Sequence, residues 1–168
     1  MNAPNRISRI KLAVLAAAVL GLAAAMPATA APPNATVTVN ATVLGVCKFE
    51  APRTATMTIS NGGAGGTIDP SLPGDATGNA TLSYKCSNGT TPAFALSPTS
   101  PTTVSCSAGV CSGSTMPVTI ALTSGGAGAG MGSGKEKTLT LDGTILETDY
   151  VDAKEGAYTR TVTVSVTP

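Results

Sequence analysis

Apolar and polar residues alternate along both ends of this chain, beyond its first thirty positions. That period belongs to a half-buried β-strand, and no segment repeats apolar residues at helical spacing over three turns. Strand-like stretches separated by turns rich in Gly, Pro and Asn predict an all-β fold built as an antiparallel sandwich. Seven segments fit the strand pattern: residues 35–49, 54–60, 78–87, 92–97, 115–123, 136–146 and 157–167.

The composition argues against catalysis and against nucleic acid as a partner. The chain has no histidine, the commonest general base and a frequent zinc ligand. We therefore expect no enzyme, no cofactor, and no catalytic or metal-binding residues. Three of the 10 basic residues lie within the first eleven positions, and the 9 acidic residues outnumber the rest. No basic stripe remains to hold a phosphate backbone.

The N-terminus has the order of a secretory signal peptide. Residues 1–11 are polar and basic, residues 12–25 are continuously apolar, and small residues follow as Ala28-Thr29-Ala30. The apolar run is shorter than the roughly 20 residues of a membrane span. We expect cleavage after Ala30 and export of the remaining chain.

Export changes the interpretation of the four cysteines. An even number of cysteines in an oxidising compartment indicates disulfides, and four allow three connectivities. Cys47 and Cys86 lie in strand-like stretches, whereas Cys106 and Cys111 bracket a short loop of small residues. We expect Cys47 to pair with Cys86 and Cys106 with Cys111. Neither His nor paired CxxC spacing supports a metal site.

The first strand-like run could pair either within its own domain or with another sheet. Residues 36–47 contain no Pro and would extend nearly 40 Å at about 3.3 Å per residue, longer than a usual strand. Either the chain bends at Gly45 and pairs within its own domain, or residues 33–43 project away. A projecting strand with one apolar face can add to an open sheet edge. Residues 34–47 carry no charge to prevent such pairing.

Four segments occur in a characteristic order along the chain. They are the Thr/Val-rich start running into Leu44-Gly45-Val46-Cys47, the stretch Thr81 to Thr90, the segment Asp149 to Tyr158, and the closing run Thr161 to Val166. Together they resemble the spore coat protein U domain family, the pilin-type domain of archaic chaperone-usher pili. The resemblance covers essentially all of the chain after the signal peptide.

The resemblance implies an incomplete immunoglobulin-like sandwich that lacks its final strand. Residues 1–30 would be the signal peptide, 31–44 an N-terminal donor-strand extension and 45–168 the sandwich domain. In this family the extension of one subunit fills the groove of the next, after a periplasmic chaperone has held that groove open.

The same resemblance assigns roles to individual residues. The donor side chains would be Val37, Val39, Ala41 and Val43. The groove and chaperone-contact strand would carry Val162, Val164 and Val166. Cys47 and Cys86 match the paired cysteines of the family. The Cys106–Cys111 pairing rests only on the proximity of the two residues in the sequence.

The expected function is a structural subunit of a secreted pilus (fimbrium) that polymerises by donor-strand exchange for cell adhesion or biofilm formation. Its expected partners are a periplasmic chaperone, an outer-membrane usher and neighbouring subunits, and its expected location is the cell surface, reached through the periplasm. A spore or cell-coat protein of the same family is one alternative. A monomeric ligand-binding sandwich is a second, and an exported hydrolase using Ser-Lys or paired carboxylates is a third.

Two motifs suggest binding sites but lack required residues. The Gly-rich run 124–134 precedes Lys135, yet Ala129 and Glu136 replace the Gly and Ser/Thr of a phosphate-binding loop, so a flexible loop is expected. Asp149, Asp152 and Glu155 recur every three residues without the spacing of a calcium loop.

Overall fold

A computed structural model describes residues 35–168. The predicted signal peptide and the start of the predicted extension, residues 31–34, lie outside the described residues. Residues Ala41–Pro168 form one compact unit, and residues 35–40 belong to a second unit that is described by itself. Within the described part of the chain, no helix is long and apolar enough to cross a membrane.

The fold is nearly all β, as the alternating pattern predicts. Its elements in chain order are β1 (Cys47–Phe49), β2 (Ala76–Cys86), β3 (Ala93–Ser97), β4 (Thr102–Cys106), a 3-10 turn (Gly109–Cys111), β5 (Thr115–Ser124), β6 (Lys137–Ile145), the one-turn helix α1 (Glu147–Tyr150), β7 (Tyr158–Thr159) and β8 (Thr163–Thr167).

All strand pairs are antiparallel. A six-stranded sheet has the order β1-β2-β6-β5-β4-β7, and β3 pairs with β8 in a separate two-stranded sheet. The long pair β2–β6 runs in register from Ala76 opposite Ile145 to Tyr84 opposite Lys137. The two sheets give a sandwich-like arrangement with the apolar side chains between them.

Two apolar clusters form the core. One surrounds Tyr150, Met116 and Val118, and the other surrounds Tyr84 and Leu139. Tyr84 packs edge-on against Phe94 of β3 with ring centroids 5.0 Å apart. The rings of Tyr84, Phe94 and Phe49 meet in one place, and the Tyr158 side chain packs against the cluster around Tyr150.

Both expected disulfides are present. Cys47 of β1 is bonded to Cys86 at the end of β2, with their Cα atoms 4.1 Å apart. Cys106 at the end of β4 is bonded to Cys111 of the 3-10 turn. No cysteine of the described chain is free. Two disulfides are compatible with an extracellular or periplasmic protein.

Several strand predictions are confirmed and others are wrong. Segments 78–87, 92–97, 115–123 and 136–146 are strands to within two residues. Segment 54–60 is not a strand: it forms only one bridge, between Ser60 and Thr77. The first segment is a strand only over Cys47–Phe49, the last is divided into β7 and β8, and β4 was not expected because Pro98 and Pro101 marked its start as a turn.

The Gly-rich run 124–134, expected to be a flexible loop, is held against the end of β2. The Gly130 N–H donates to the carbonyl of Cys86, and the Gly128 N–H donates to that of Thr90. A Cβ at Gly128 would lie 2.5 Å from the Cys86 carbonyl oxygen. Glycine is therefore needed at position 128 so that the loop can approach the disulfide-bonded strand.

Candidate strand-binding groove

A groove lies over the hydrophobic core of the unit formed by residues 41–168. It consists of two adjoining cavities of about 690 and about 580 Å³, both lined by Met57, Val104 and Tyr158. Its floor is made by side chains of β2, β4, β5 and β6: Ala80, Leu82, Val104, Met116, Ile120, Leu141 and Ile145. All of these side chains except Ala80 belong to or pack against the two core clusters. The groove is thus a gap over the core.

Residues 53–59 form the first wall of the groove. Met57 and Ile59 are half-buried, whereas the threonines between and before them are exposed, so the alternation expected of a strand is kept. No backbone–backbone hydrogen bond involves residues 51–59 in the described chain, and the ladder begins only at Ser60, whose N–H donates to the Thr77 carbonyl over 2.9 Å. This wall has the side-chain pattern of a strand but no strand partner.

Two glycines let this wall lie close to the sheet. Gly78 and Gly143 are opposite each other in the β2–β6 pair. A Cβ at Gly78 would collide with the Thr58 carbonyl, and one at Gly143 would collide with the Met57 side chain. The absence of a side chain at this pair therefore allows residues 57–59 to cross the sheet at close range.

Residues 157–164 form the second wall. Its start, β7, pairs with the end of β4, and its end, β8, pairs with β3. Between them, residues 160–162 make no backbone–backbone hydrogen bond with any described residue. Val162 and Val164 line the groove. Val166, assigned to the same strand, lies opposite Phe94 in the β3–β8 pair and is not among the lining residues.

A hydrogen-bond network around Tyr150 holds the far end of the groove. The buried Tyr150 hydroxyl accepts a hydrogen bond from the Asn61 side-chain amide at 2.9 Å, and it also contacts the Gly74 carbonyl. The Asn61 amide in turn donates to the Asp69 carbonyl and its oxygen accepts from the Asp69 N–H. The network fixes loop 61–75, whose residues 66–68 line the larger cavity.

The residues assigned to the donor segment are exposed. Val37, Val39 and Val43 expose 80%, 86% and 88% of their surface, and Ala41 is also exposed. Residues 35–46 form no strand in the described chain. Exposed apolar side chains in a row are typical of a segment that is buried by a partner.

The charged side chains of the groove lie at its rim. Arg53 and Arg160 stand on opposite walls, and Lys154 and Glu155 are near one end; all four are exposed. The lining between them is apolar or threonine. An occupant of this groove would therefore be recognised by apolar side chains and backbone hydrogen bonds rather than by charge.

Part of this groove is not predicted from the sequence. Val162 and Val164, which were expected on the groove strand, line it, whereas Met57, Ile59 and the floor residues are not among the predicted site residues. The alternation in residues 54–60 is a detectable signal, but by itself it predicts only an ordinary strand. The acidic residues Asp149, Asp152 and Glu155 are not brought together, since the described chain contains no group of three metal-ligating side chains.

Comparisons with known proteins return no match. No family model fits the chain, and no curated protein or solved structure is similar to it at a significant level.

Proposed function

We propose that this protein is a structural subunit of a chaperone-usher pilus and that it polymerises by donor-strand exchange. In this proposal the domain is an immunoglobulin-like sandwich without its final strand, and the groove between residues 53–59 and 157–164 is the missing strand's place. The donor is residues 36–44 of another subunit. The observation that carries the proposal is that both walls show unpaired backbone beside an apolar floor.

The chemistry of the donor matches that of the groove. A strand laid between the walls would offer its N–H and C=O groups to both, and its alternate side chains would face the floor. Val37, Val39, Ala41 and Val43 share one face of residues 36–44 and are small enough to lie above a floor that already contains Leu82, Ile120 and Leu141. The opposite face carries Thr and Asn, whose polar side chains can remain exposed to solvent.

Donor and groove lie at different places in the chain, so the contact between subunits is head to tail. A contact of this kind that does not close into a ring generates an open filament. Before assembly the unpaired backbone of the two walls would favour aggregation, which gives a periplasmic chaperone and an outer-membrane usher their roles in the proposal. The two disulfides fit passage through an oxidising compartment.

A ligand-binding sandwich is less well supported. Carbohydrate-binding modules usually present a platform of exposed aromatic rings. All five rings of this chain, those of Phe49, Tyr84, Phe94, Tyr150 and Tyr158, are buried or half-buried. A coat protein of the same family would assemble by the same strand exchange.

A pair of substitutions on opposite faces of the donor tests the proposal. Val39→Asp should abolish polymerisation, because it removes an apolar side chain and would bury a charge over the groove floor. Thr38→Asp places the same charge on the solvent face and should leave polymers of normal length. Polymer size would be measured on the purified mature protein by analytical ultracentrifugation. Equal effects of the two substitutions, or a wild-type chain that stays monomeric, would contradict the donor assignment.

A further inference from the structure

The segment of residues 154–158, which leads into the second wall of the groove, has little secondary structure of its own. Residues 154–158 line the larger cavity, and within the described chain the only ladder that fixes them is the two-residue pairing of β7 with Ser105 and Cys106 of β4. The Tyr158 hydroxyl donates to the Lys154 carbonyl at 3.0 Å, which closes the segment on itself without attaching it to the sheet. The Tyr158 side chain packs against the core cluster around Tyr150, so residues 154–157 are the part of this segment that needs another support.

The Cys106–Cys111 disulfide lies directly against this segment. A Cβ at Gly156 would collide with the Cys111 sulfur, and it would also lie 3.4 Å from the Cys106 sulfur. Both cysteines are buried, with Cys111 fully inaccessible and Cys106 only 4% exposed. The backbone of the wall therefore rests on the disulfide through the one residue that has no side chain.

The disulfide also holds the loop that carries it. Cys106 is the last residue of β4, and the Gly113 N–H donates to its carbonyl at 3.0 Å. Cys111 ends a three-residue 3-10 turn in a run of small residues, Ser107-Ala108-Gly109-Val110, which has few side chains to anchor it. Without the covalent bond, few side-chain contacts would hold Cys111 under Gly156.

We propose that the Cys106–Cys111 disulfide is a positioning element for strand capture: it fixes residues 154–158 as a wall of the groove. This inference rests on the proposed function, since it concerns the same groove. The bond spans a sequence separation of only 5, so its chain-entropy contribution to global stability is smaller than that of Cys47–Cys86, whose separation is 39. Its main effect is local: a preorganised wall loses less conformational freedom when a donor binds.

The test compares the full mature chain with the double variant Cys106→Ala/Cys111→Ala. The probe is a fluorescent peptide that copies residues 35–46, and peptide capture is measured by anisotropy after refolding. The double variant should capture the peptide about tenfold more weakly or more slowly, while its circular dichroism stays that of the wild type. Capture equal to that of the wild type would overturn the inference and leave the proposed function intact.

Hydrogen–deuterium exchange separates this inference from the proposed function, because it needs no donor. Amides of residues 154–160 should exchange faster in the double variant, and those of β2 and β6 should be unchanged. Unchanged exchange at 154–160 would overturn the positioning role even if the wild type captured no peptide. Failure of the wild type to capture peptide would contradict the proposed function alone.

A second variant, which keeps both disulfides, tests the same inference if the double variant does not fold. Gly156→Ala should push the wall off the disulfide and weaken capture, whereas Gly89→Ala, which shares a positive φ but where an added Cβ meets nothing within 4 Å, should not. Wild-type capture by Gly156→Ala would overturn the inference, and so would an equal loss of capture in Gly89→Ala.

Discussion

Lys85 is the only charged side chain that is buried in the described chain, at 8% exposure. Its ammonium group lies 2.8 Å from a carboxylate oxygen of Glu136 and 3.7 Å from one of Glu50. The hydrogen bond with Glu136 raises the pKa of Lys85, and the same bond lowers the pKa of Glu136. The cluster thus keeps a buried charge paired where β1, β2 and the start of β6 meet.

The direction of these shifts sets how stability depends on pH. A carboxyl group whose pKa is lowered by folding stabilises the protein above its ordinary pKa, here 4.5, and loses that contribution as the pH falls through the folded value. A lysine whose pKa is raised contributes below its ordinary value of 10.5 and loses the contribution as the pH rises through the folded value. Between these limits the pair contributes fully.

We therefore expect Glu136→Gln to reduce the free energy of unfolding at neutral pH, because Lys85 would keep only the longer contact with Glu50. The difference from the wild type should shrink as the pH falls below 4.5. Urea titrations at several pH values would measure it. The control is Asp142→Asn, which removes an exposed carboxylate that forms no salt bridge in the described chain. A constant difference between Glu136→Gln and the wild type at every pH would contradict the role of the ion pair.

At the scale of elements, the wall of residues 53–59 depends on the glycine pair beneath it. The close approach at Gly143 involves the Met57 side chain, whereas the approach at Gly78 involves the Thr58 backbone. A side chain can move or be shortened, but a backbone carbonyl cannot be removed. The two positions therefore differ in how a substitution can be compensated.

Gly143→Ala should destabilise the domain by about 1–3 kcal/mol, the usual cost of overpacking. Gly143→Ala should cost less in a Met57→Ala background than in the wild type, because Met57→Ala removes the sulfur that the new methyl group meets. The cost of Gly78→Ala should be the same in both backgrounds. Denaturant unfolding of the single and double variants measures the coupling. If Met57→Ala changed the cost of both glycine substitutions equally, contact with the Met57 side chain would not explain the cost at Gly143.

The elements also show which parts of the fold are predictable from sequence. β5 and β6 have clear alternation and partners on both sides, and both were predicted. Segment 54–60 has equally clear alternation, with Met57 and Ile59 facing inward, yet it is not a strand because no neighbour pairs with it. The alternation of apolar and polar residues indicates which side chains are buried, but it does not indicate whether the same chain contains a partner strand.

The groove floor and the Gly156 contact could not be predicted for a related reason. Leu82, Ile120 and Leu141 are ordinary inward positions of their strands, and nothing local distinguishes an inward residue that is covered from one under a gap. Gly156 meets Cys111 only through the pairing of β4 with β7, two short elements far apart in sequence. The disulfides were predictable because strand-like context and loop length constrain cysteines directly.

At the scale of the whole molecule, one chain presents both an exposed apolar segment and an unfilled groove. In the proposed assembly each subunit uses its groove once and its donor once, so the number of free ends stays constant as a filament grows. A subunit with a groove but no donor would bind the exposed donor end and add nothing for the next subunit. Filament length is then a direct readout of the head-to-tail arrangement.

A chain lacking residues 31–43 should therefore act as a terminator. The deletion leaves residues 44–168, which retain every described strand and both disulfides, so the variant should fold when it is coexpressed with a chaperone but should not polymerise alone. Added to wild-type subunits at one part in ten, it should shorten the filaments seen by electron microscopy to about ten subunits on average, whereas extra wild-type chain at the same ratio should not. Normal filaments formed by the deletion variant itself would rule out residues 36–43 as the donor, and unchanged filament length in the mixture would rule out the groove as the acceptor.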